Sequence, residues 1–241
     1  MPKVPQTYLE ARRDEILDAA WTCFARKGYH QTTMQDICRE SELSAGAVYR
    51  YFAKKEDILR AINARSLEMG RRLVEDARAQ VSEPLNSLWL IGETMLNAFL
   101  GPGSETMNRI NIEIWPEIIR DQELREGVRA ELTFWHSAVA AILKDAAERG
   151  QLKAGVDPEA AASLFMCAYE GLRHYRLVAP ETFSPEVLID LGHVLTGEGA
   201  PAEERPLARP PADAPGPPLG THYPRLRRPK APLPTEDGAQ R

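Results

Sequence analysis

The chain has 241 residues, of which 43% are hydrophobic and 27% charged, and its formal net charge is −5 at pH 7. This length accommodates one large or two small domains with a sizeable core. No run approaches the roughly 18 uninterrupted apolar residues of a membrane-spanning helix, and the N-terminus lacks the apolar segment of a secretory signal. We therefore expect a cytoplasmic protein that has no membrane partner.

The negative charge lies in the middle of the chain. Residues 1–60 carry 10 Lys and Arg against 9 Asp and Glu, residues 61–197 carry 13 against 20, and residues 198–241 carry 7 against 6. Because DNA binding requires only a local basic footprint, the acidic total does not exclude DNA as a partner. Cys23, Cys38 and Cys167 match no metal-binding or disulfide spacing, so we expect free thiols, no metal and no cofactor.

The first predicted helix covers residues 8–27. Its apolar side chains recur at helical spacing and are Ile16, Leu17, Ala20, Cys23 and Phe24. Gly28 follows, where glycine commonly ends a helix. Near the start of this helix, Arg12 and Arg13 either reach a DNA phosphate or lie in solvent, and the sequence leaves both readings open.

Two short helices with a tight turn are predicted next. Thr33 and Asp36 have the spacing of a capping box at the start of the first one. Its apolar positions are Met34, Ile37 and Cys38. The chain breaks at residues 41–43, and Ser44 then caps a second helix over residues 45–52.

The second short helix has a surface suited to the major groove of DNA. Val48 and Phe52 are four residues apart and face inward. The outward residues are small at the start and polar or aromatic later, which a helix that approaches base edges requires; they are Ala45, Gly46, Ala47, Tyr49, Arg50 and Tyr51. An ordinary helical hairpin with a solvated face is the alternative interpretation.

Many positions of this stretch agree in register with one family. They are Gly28, Tyr29, Thr32, Thr33, Ile37, Leu43, Ser44, Gly46, Val48, Tyr49, Tyr51, Phe52, Lys55, Glu56 and Leu59. With them, residues 11–59 resemble the DNA-binding domain of the tetracycline-repressor (TetR) family. One departure is Tyr51, where the family often has histidine.

The resemblance implies roles for particular residues. Tyr49, Tyr51 and Lys55 match positions that contact the DNA backbone, and Thr33 and Ser44 belong to the same surface. Ala45, Gly46, Ala47 and Arg50 fall where contacts to base edges arise. Arg50 either grips a guanine with two hydrogen bonds or faces solvent.

The rest of the chain is predicted to be helical. A long helix over residues 54–80 joins the DNA-binding unit to further helices over residues 85–100, 104–119, 121–149, 158–178 and 185–195. Pro116 disfavours helical geometry at Trp115, so the helix over residues 104–119 is expected to be interrupted there. The resemblance implies that the long helix transmits a ligand signal.

Aromatic residues of the larger part are candidates for a ligand cavity or for plain core. The candidates for contact with a small-molecule effector are Trp89, Phe99, Trp115, Trp135, Phe165 and Tyr169. Weaker candidates for polar anchors lie on the same helices and are Glu113, His136, Glu170, Arg173 and His174. No catalytic constellation such as a nucleophile elbow is visible.

We therefore predict an all-α protein with three regions. They are a three-helix helix-turn-helix domain (1–53), a larger helical domain for ligand binding and dimerisation (54–197) and a disordered tail (198–241), where residues 201–241 hold 11 of the 19 prolines. Removing the tail is expected to leave the melting temperature unchanged.

The predicted function is a homodimeric, non-enzymatic, TetR-type repressor. It is expected to bind a palindromic operator in double-stranded DNA and to leave it when a small, largely apolar ligand binds. The alternative is a helical binding module or enzyme with a vestigial DNA-binding unit. The tyrosines and lysines near residues 49–55 disfavour the alternative, since a vestigial unit would tend to lose them.

Overall fold

A computed structural model describes residues 5–100, 104–184 and 186–196. These residues form helices, turns and bends without a strand, which confirms the all-α prediction. The predicted tail and the first four residues lie outside the described residues. In chain order the helices are α1 (Gln6–Lys27), α2 (Met34–Glu40), α3 (Ala45–Tyr51), α4 (Lys55–Gln80), α5 (Pro84–Leu100), α6 (Glu105–Arg120), α7 (Gln122–Glu148), α8 (Pro158–Tyr175) and α9 (Glu186–Thr196).

The first three helices pack around buried apolar side chains that belong to the largest apolar cluster of the described residues. The apolar stripe of α1 is buried, and Phe24 meets Tyr29 edge to face with ring centroids 5.2 Å apart. Ile37 of α2 and Val48 of α3 are fully buried in the same cluster. Because α2 packs on α1 and α3 packs on α2, the position of α3 depends on α1.

Helix α4 leaves this unit and packs against α5 and α7. Gly70 makes the close approach to α7 possible, since a Cβ atom there would lie 2.8 Å from Cζ2 of Trp135. The buried apolar cluster runs without a break from α1 through α4 to α7. Helices α7, α8 and α9 pack in succession at the far side.

The interruption predicted at Trp115 is wrong, because α6 continues through Pro116 to Arg120. Proline removes the N–H that would otherwise bond the carbonyl of Ile112, but four further residues continue the helix. Asp121 then caps α7 by accepting a hydrogen bond of 2.8 Å from the backbone N–H of Leu124. The turn at Asp121 therefore ends α6, and Pro116 does not.

Within the described ranges, no helix combines the length and the apolar character needed to cross a membrane.

Candidate functional site

Helices α2 and α3 are joined by a turn that local side chains define. The Thr33 hydroxyl accepts a hydrogen bond of 3.2 Å from the Asp36 N–H, and the Asp36 carboxylate accepts one of 3.0 Å from the Thr33 N–H. This confirms the predicted capping box. Ser44 caps α3 by accepting from the Ala47 N–H at 3.2 Å. Between the two helices, Glu42 adopts a φ of 56°, a left-handed conformation that is rare for residues with a side chain.

One side of α3 is open to solvent. Ser44, Ala45, Gly46, Tyr49 and Arg50 are exposed and Ala47 is half-buried, whereas Val48 and Phe52 point into the core. A Cβ atom at Gly46 would meet nothing within 4 Å, so another backbone or a base edge can approach closely. The outward face of α3 therefore has the small start and polar end that groove entry needs. Thr33 is also exposed, at the start of α2.

The Tyr51 side chain faces the protein interior. Its hydroxyl oxygen is buried, and it has no hydrogen-bond partner among the described residues. The ring packs against the apolar cluster, with the Arg50 guanidinium 5.6 Å from its centroid. A phosphate contact through the hydroxyl is therefore not available in this conformation, because the oxygen faces the protein.

The Lys55 ammonium bonds to backbone carbonyls of the same small domain. Its ammonium donates to the backbone carbonyls of Tyr29 at 2.8 Å, His30 at 3.2 Å and Thr32 at 3.2 Å. It also lies 4.3 Å from the centroid of the Tyr29 ring. An ammonium has three N–H groups, so these contacts use all its donors, and burial lowers the pKa of Lys55. In this structure Lys55 holds the α1–α2 turn. Its contact with a phosphate stays a prediction.

Two carboxylates of α2 are paired with basic side chains of α1. The Lys27 ammonium lies 2.6 Å from the Asp36 carboxylate, and together with the Thr33 N–H and hydroxyl it holds the pKa of Asp36 below its ordinary value. Arg26 pairs with Glu40 at 2.8 Å. These pairs tie α1 to α2.

The small domain meets α6 as well as α4. The Glu113 carboxylate accepts a hydrogen bond of 2.9 Å from the Tyr29 N–H, and the Glu113 carbonyl lies 3.3 Å from Nε2 of His30. Gly28 makes room for this contact, since its φ is 81° and a Cβ atom would lie 2.7 Å from the carboxylate. Glu113, which the sequence offered as a weak candidate for a ligand anchor, instead connects α6 to the DNA-binding unit.

A second link joins the start of α4 to the α6–α7 turn. The guanidinium of Arg60 binds the carboxylates of Asp57 at 2.7 Å and Glu123 at 3.4 Å, and it binds both oxygens of Asp121. Arg60 thereby holds the pKa of Asp121 below its ordinary value. Arg60 thus ties the beginning of α4 to the turn between α6 and α7.

A cavity of about 1320 Å³ lies among α4, α5, α6, α7, α8 and α9. The six aromatic residues predicted from the sequence, which are Trp89, Phe99, Trp115, Trp135, Phe165 and Tyr169, all lie on its wall. Trp21 of α1 lines the cavity too, although its position in the DNA-binding region gave no sequence signal for this. Mostly apolar walls with a few polar groups are typical of small-molecule sites.

Two polar clusters interrupt the apolar wall. The Glu131 carboxylate of α7 accepts hydrogen bonds from Nδ2 of Asn63 at 2.5 Å and from Oγ of Ser66 at 2.8 Å, both on α4. The Arg173 guanidinium of α8 pairs with Glu170 at 2.9 Å and lies 4.6 Å from the Phe99 ring centroid. Sequence reasoning included Glu170 and Arg173 but missed Glu131, because nothing local to residue 131 distinguishes it from a solvated helix position.

A Ser–His–Glu cluster lies on α7 and α8. Nε2 of His136 is 2.9 Å from Oγ of Ser163, and Nδ1 is 3.7 Å from a carboxylate oxygen of Glu159. The Ser163 hydroxyl, however, donates to the Glu159 carbonyl at 3.0 Å. The Ser163 hydroxyl thus has two hydrogen-bond partners, the Glu159 carbonyl and the His136 imidazole.

Helical order, the capped turn and the exposed α3 define a helix-turn-helix transcriptional regulator. The sequence family described as "Bacterial regulatory proteins, tetR family" matches residues 16–62, and the one described as "BetI-type transcriptional repressor, C-terminal" matches residues 93–195. The chain belongs to the TetR family of transcriptional regulators, as the sequence resemblance predicted.

Relatives and solved structures agree with this assignment. The HTH-type transcriptional regulator YfiR of Bacillus subtilis is 28% identical over 175 residues, covering 71% of this chain and 82% of YfiR. TtgR of Pseudomonas putida is 27% identical over 176 residues, covering 70% and 82%. The structure of SmeT, the repressor of the Stenotrophomonas maltophilia multidrug efflux pump SmeDEF, superposes with a TM-score of 0.60 at 26% identity, covering 76% and 88%.

Proposed function

We propose that this regulator is a repressor that binds a palindromic operator as a homodimer and leaves it when a small, largely apolar ligand binds. The observation that carries the proposal is the path of α4. This helix begins four residues after the end of α3, and its residues Leu59, Ile62, Asn63 and Ser66 line the cavity. One rigid element thus belongs to both sites, so a change at the cavity wall alters the placement of α3.

DNA contact is assigned to the exposed face of α3 and its flanks. Ala45, Gly46, Ala47 and Arg50 approach base edges, Tyr49 lies against the backbone, and Thr33 and Ser44 stand at the two helix starts that face phosphate. Arg50 is the side chain of this face that can bind guanine with two hydrogen bonds. Tyr51 and Lys55 are left out of this surface because their polar atoms bond or face the protein interior.

A homodimer is supported by an exposed apolar stripe on α8. Leu164, Cys167, Gly171 and Tyr175 recur at helical spacing, and Leu164 and Tyr175 are 49% and 58% exposed. Val178, in the turn that follows α8, is 86% exposed. Val187 and Val194 of α9 are exposed as well. A two-fold contact of α8 and α9 with their partner copies buries these residues. We expect this contact to place the two α3 helices on one face of the dimer. A palindromic operator requires this, because its half-sites lie about 34–36 Å apart along the DNA.

Ligand release is supported by the cavity and by one relative. The solved structure of a SmeT–triclosan complex superposes on this chain with a TM-score of 0.58 at 26% identity. Here the ligand is expected to touch Trp89, Phe99, Trp115, Trp135, Phe165 and Tyr169. The protein acts without enzymatic chemistry and in the cytoplasm, where its DNA lies.

Selection of bound duplexes from a random pool tests the DNA-binding part. We expect enrichment of an inverted repeat, and we expect Arg50→Ala to lose about 1–3 kcal/mol of discrimination at one base pair of each half-site. Arg39→Ala, on the exposed face of α2, is the matched control and is expected to keep the sequence preference. Recovery of sequences without any shared motif at moderate salt would contradict the proposal.

Light scattering tests the dimer. Leu164→Arg places a charge in the stripe, where an unpaired charge is strongly destabilising, and it is expected to give a monomer at micromolar concentration. Ala147→Arg, at an exposed position of α7, is the control and should remain dimeric. A monomeric wild-type protein at that concentration would rule out this interface.

A further inference from the structure

The basic side chains of the small domain differ in whether the protein itself uses their charge. Four of them are engaged by carboxylates or carbonyls at 2.8 Å or less, and these are Arg26, Lys27, Lys55 and Arg60. Three others are exposed and lie outside ion-pair distance of every carboxylate in the described part of the chain, and these are Arg13, Arg50 and Lys54. These three are the cations that a polyanion can reach without breaking an ion pair.

Two neighbouring arginines of α1 illustrate the difference. The Arg12 guanidinium pairs with Glu15 at 2.5 Å, and its Nε donates to the Tyr8 hydroxyl at 3.1 Å. The Arg13 guanidinium makes neither kind of contact and lies over the Phe52 ring, with its central carbon 5.5 Å from the ring centroid. The sequence left both arginines open as phosphate ligands, and the structure commits only Arg12 to other groups.

The contact with Phe52 holds Arg13 at the C-terminal end of α3. Phe52 is the last capping residue of α3, where its N–H donates to the Val48 carbonyl, and only 4% of it is exposed. A planar guanidinium that lies on an aromatic face keeps its N–H groups available at the edge. Arg50 and Lys54 are each two residues from Phe52, so their Cα atoms lie within about 8 Å of that of Phe52.

The carboxylates of α1 closest in sequence to Arg13 have other partners. Arg65 of α4 lies 2.8 Å from Asp18 and 3.8 Å from Asp14, and Gln6 donates to Glu10 at 3.0 Å. The two contacts of Arg65 also tie α1 to α4, the helix that follows α3. Arg13 is therefore fixed relative to α3 through both Phe52 and α4.

A guanidinium and an ammonium beside a helix that enters the major groove suit the phosphodiester group. Arginine binds two phosphate oxygens with a pair of parallel hydrogen bonds, and phosphate contacts set the register and orientation of a protein on the duplex. In the described conformation, the Tyr51 hydroxyl faces the interior and the Lys55 ammonium bonds to carbonyls. The donors that reach outward beside this end of α3 are thus those of Arg13 and Lys54.

We propose that Arg13 of α1 and Lys54 before α4 bind phosphates beside the groove that α3 enters, and that Arg13 thereby sets the register of α3 on the operator. The inference rests on the proposed function, because it assigns the backbone contacts of the same DNA-binding surface. The alternative role for Arg13 is structural, since a cation near the C-terminal end of a helix also stabilises the helix.

The salt dependence of binding distinguishes the two roles. Each phosphate contact contributes about 0.9 to the slope of log affinity against log salt, which corresponds to about fivefold in affinity at 0.15 M salt. Arg13→Gln and Arg13→Met, which keeps an apolar contact with Phe52, are each expected to lower the slope by about 0.9. Arg13→Lys is expected to keep the slope, because it keeps the charge. Arg12→Gln is the matched control on the same helix and should also keep the slope.

Melting curves measure the structural role separately. Folded Arg13→Gln and Arg13→Met variants that bind DNA with the wild-type slope would overturn the proposal, whatever their melting temperatures. A slope that falls equally for Arg12→Gln would overturn it as well, because the contact would then not belong to Arg13.

Operators that carry one neutral methylphosphonate at a time locate the phosphate. The wild-type protein is expected to lose about fivefold in affinity at the phosphate that Arg13 binds, whereas Arg13→Gln should lose nothing further at that position. Such a non-additive pair is what a double-mutant cycle detects. Losses that add at every phosphate would overturn the contact.

The outcomes separate this proposal from the regulatory function. Phosphate contacts are independent of sequence, so the slopes are also measured on a random duplex. A protein that selects no operator but has a lower slope in Arg13→Gln keeps the phosphate contact and loses the regulatory role. A protein that selects its operator with the same slope in the wild type and in Arg13→Gln remains a regulator and loses the contact.

Discussion

Replacement of Lys55 by methionine is expected to destabilise the DNA-binding domain more than it weakens phosphate contact. The shortest ammonium bond, 2.8 Å to the Tyr29 carbonyl, is part-buried, and hydrogen bonds to charged groups contribute about 1.5–3 kcal/mol each. The bonds to His30 and Thr32 are 3.2 Å long, and the His30 carbonyl is exposed, so water replaces part of what they contribute.

The net effect is smaller than the sum of the three bonds. The methionine variant buries no ammonium, so it avoids the desolvation cost. This desolvation is also the main cause of the lowered pKa of Lys55. We expect a loss of about 2–4 kcal/mol in the free energy of unfolding, against a typical total of about 5–15 kcal/mol. Urea unfolding at pH 7 measures it, with Lys54→Met, an exposed neighbour, as the control that should change stability little.

Salt dependence of operator binding completes the test. Each phosphate contact contributes about 0.9 to the slope of log affinity against log salt. Lys55→Met is expected to leave that slope unchanged, whereas Lys54→Met lowers it if Lys54 meets a phosphate. The reasoning is refuted if Lys55→Met unfolds at the same urea concentration as the wild type and its slope falls by about 0.9.

Three further changes have expected outcomes. Glu42→Gly should raise the free energy of unfolding by about 0.5 kcal/mol, because relief of the left-handed backbone, about 1 kcal/mol, exceeds the added chain entropy of glycine, about 0.5 kcal/mol. Glu42→Val should lower the free energy of unfolding. A melting temperature above wild type for the valine variant would contradict this. Gly28→Ala should cost about 1–3 kcal/mol, since a φ of 81° with a ψ of 161° is essentially limited to glycine, and denaturant titration checks it. Lys27 and Thr33 hold the pKa of Asp36 below its ordinary 3.8. The ionised carboxylate therefore stabilises the fold above pH 3.8, and this stabilisation is lost as the pH falls from 3.8 toward the pKa of the folded state. Melting temperatures between pH 7 and pH 3 should fall less steeply for Asp36→Asn than for the wild type.

Much of the fold follows from features that act within a few residues. Thr33 and Ser44 cap helices where the sequence predicts them, because a side-chain oxygen needs only the N–H group three residues ahead. Asp121 and Asp157 cap α7 and α8 by the same local rule. Apolar stripes of period 3.6 then predict which face of each helix is buried. These short-range rules were sufficient for the all-α class and for the helix-turn-helix unit.

Short-range rules were insufficient where the neighbouring residues alone allow a helix either to continue or to end. Proline at residue 116 predicts an interruption, yet packing on both sides keeps α6 continuous to Arg120. Residues 176–178 have helical potential, but α8 ends at Tyr175 and a turn follows. Tertiary contacts outweigh a local preference of this size, since propensities differ by about 1 kcal/mol per residue.

By itself, the sequence determined the helix order, the caps, the exposed face of α3 and the family. Tertiary structure alone decided where long polar side chains point. Lys55 reaches three carbonyls of a turn more than 20 residues earlier, the Tyr51 hydroxyl faces inward, and Glu131 meets Asn63 across 68 residues. A lysine or glutamate has several rotatable bonds and serves solvent, DNA or another helix equally well, so its role depends on which partner the fold brings within hydrogen-bond distance.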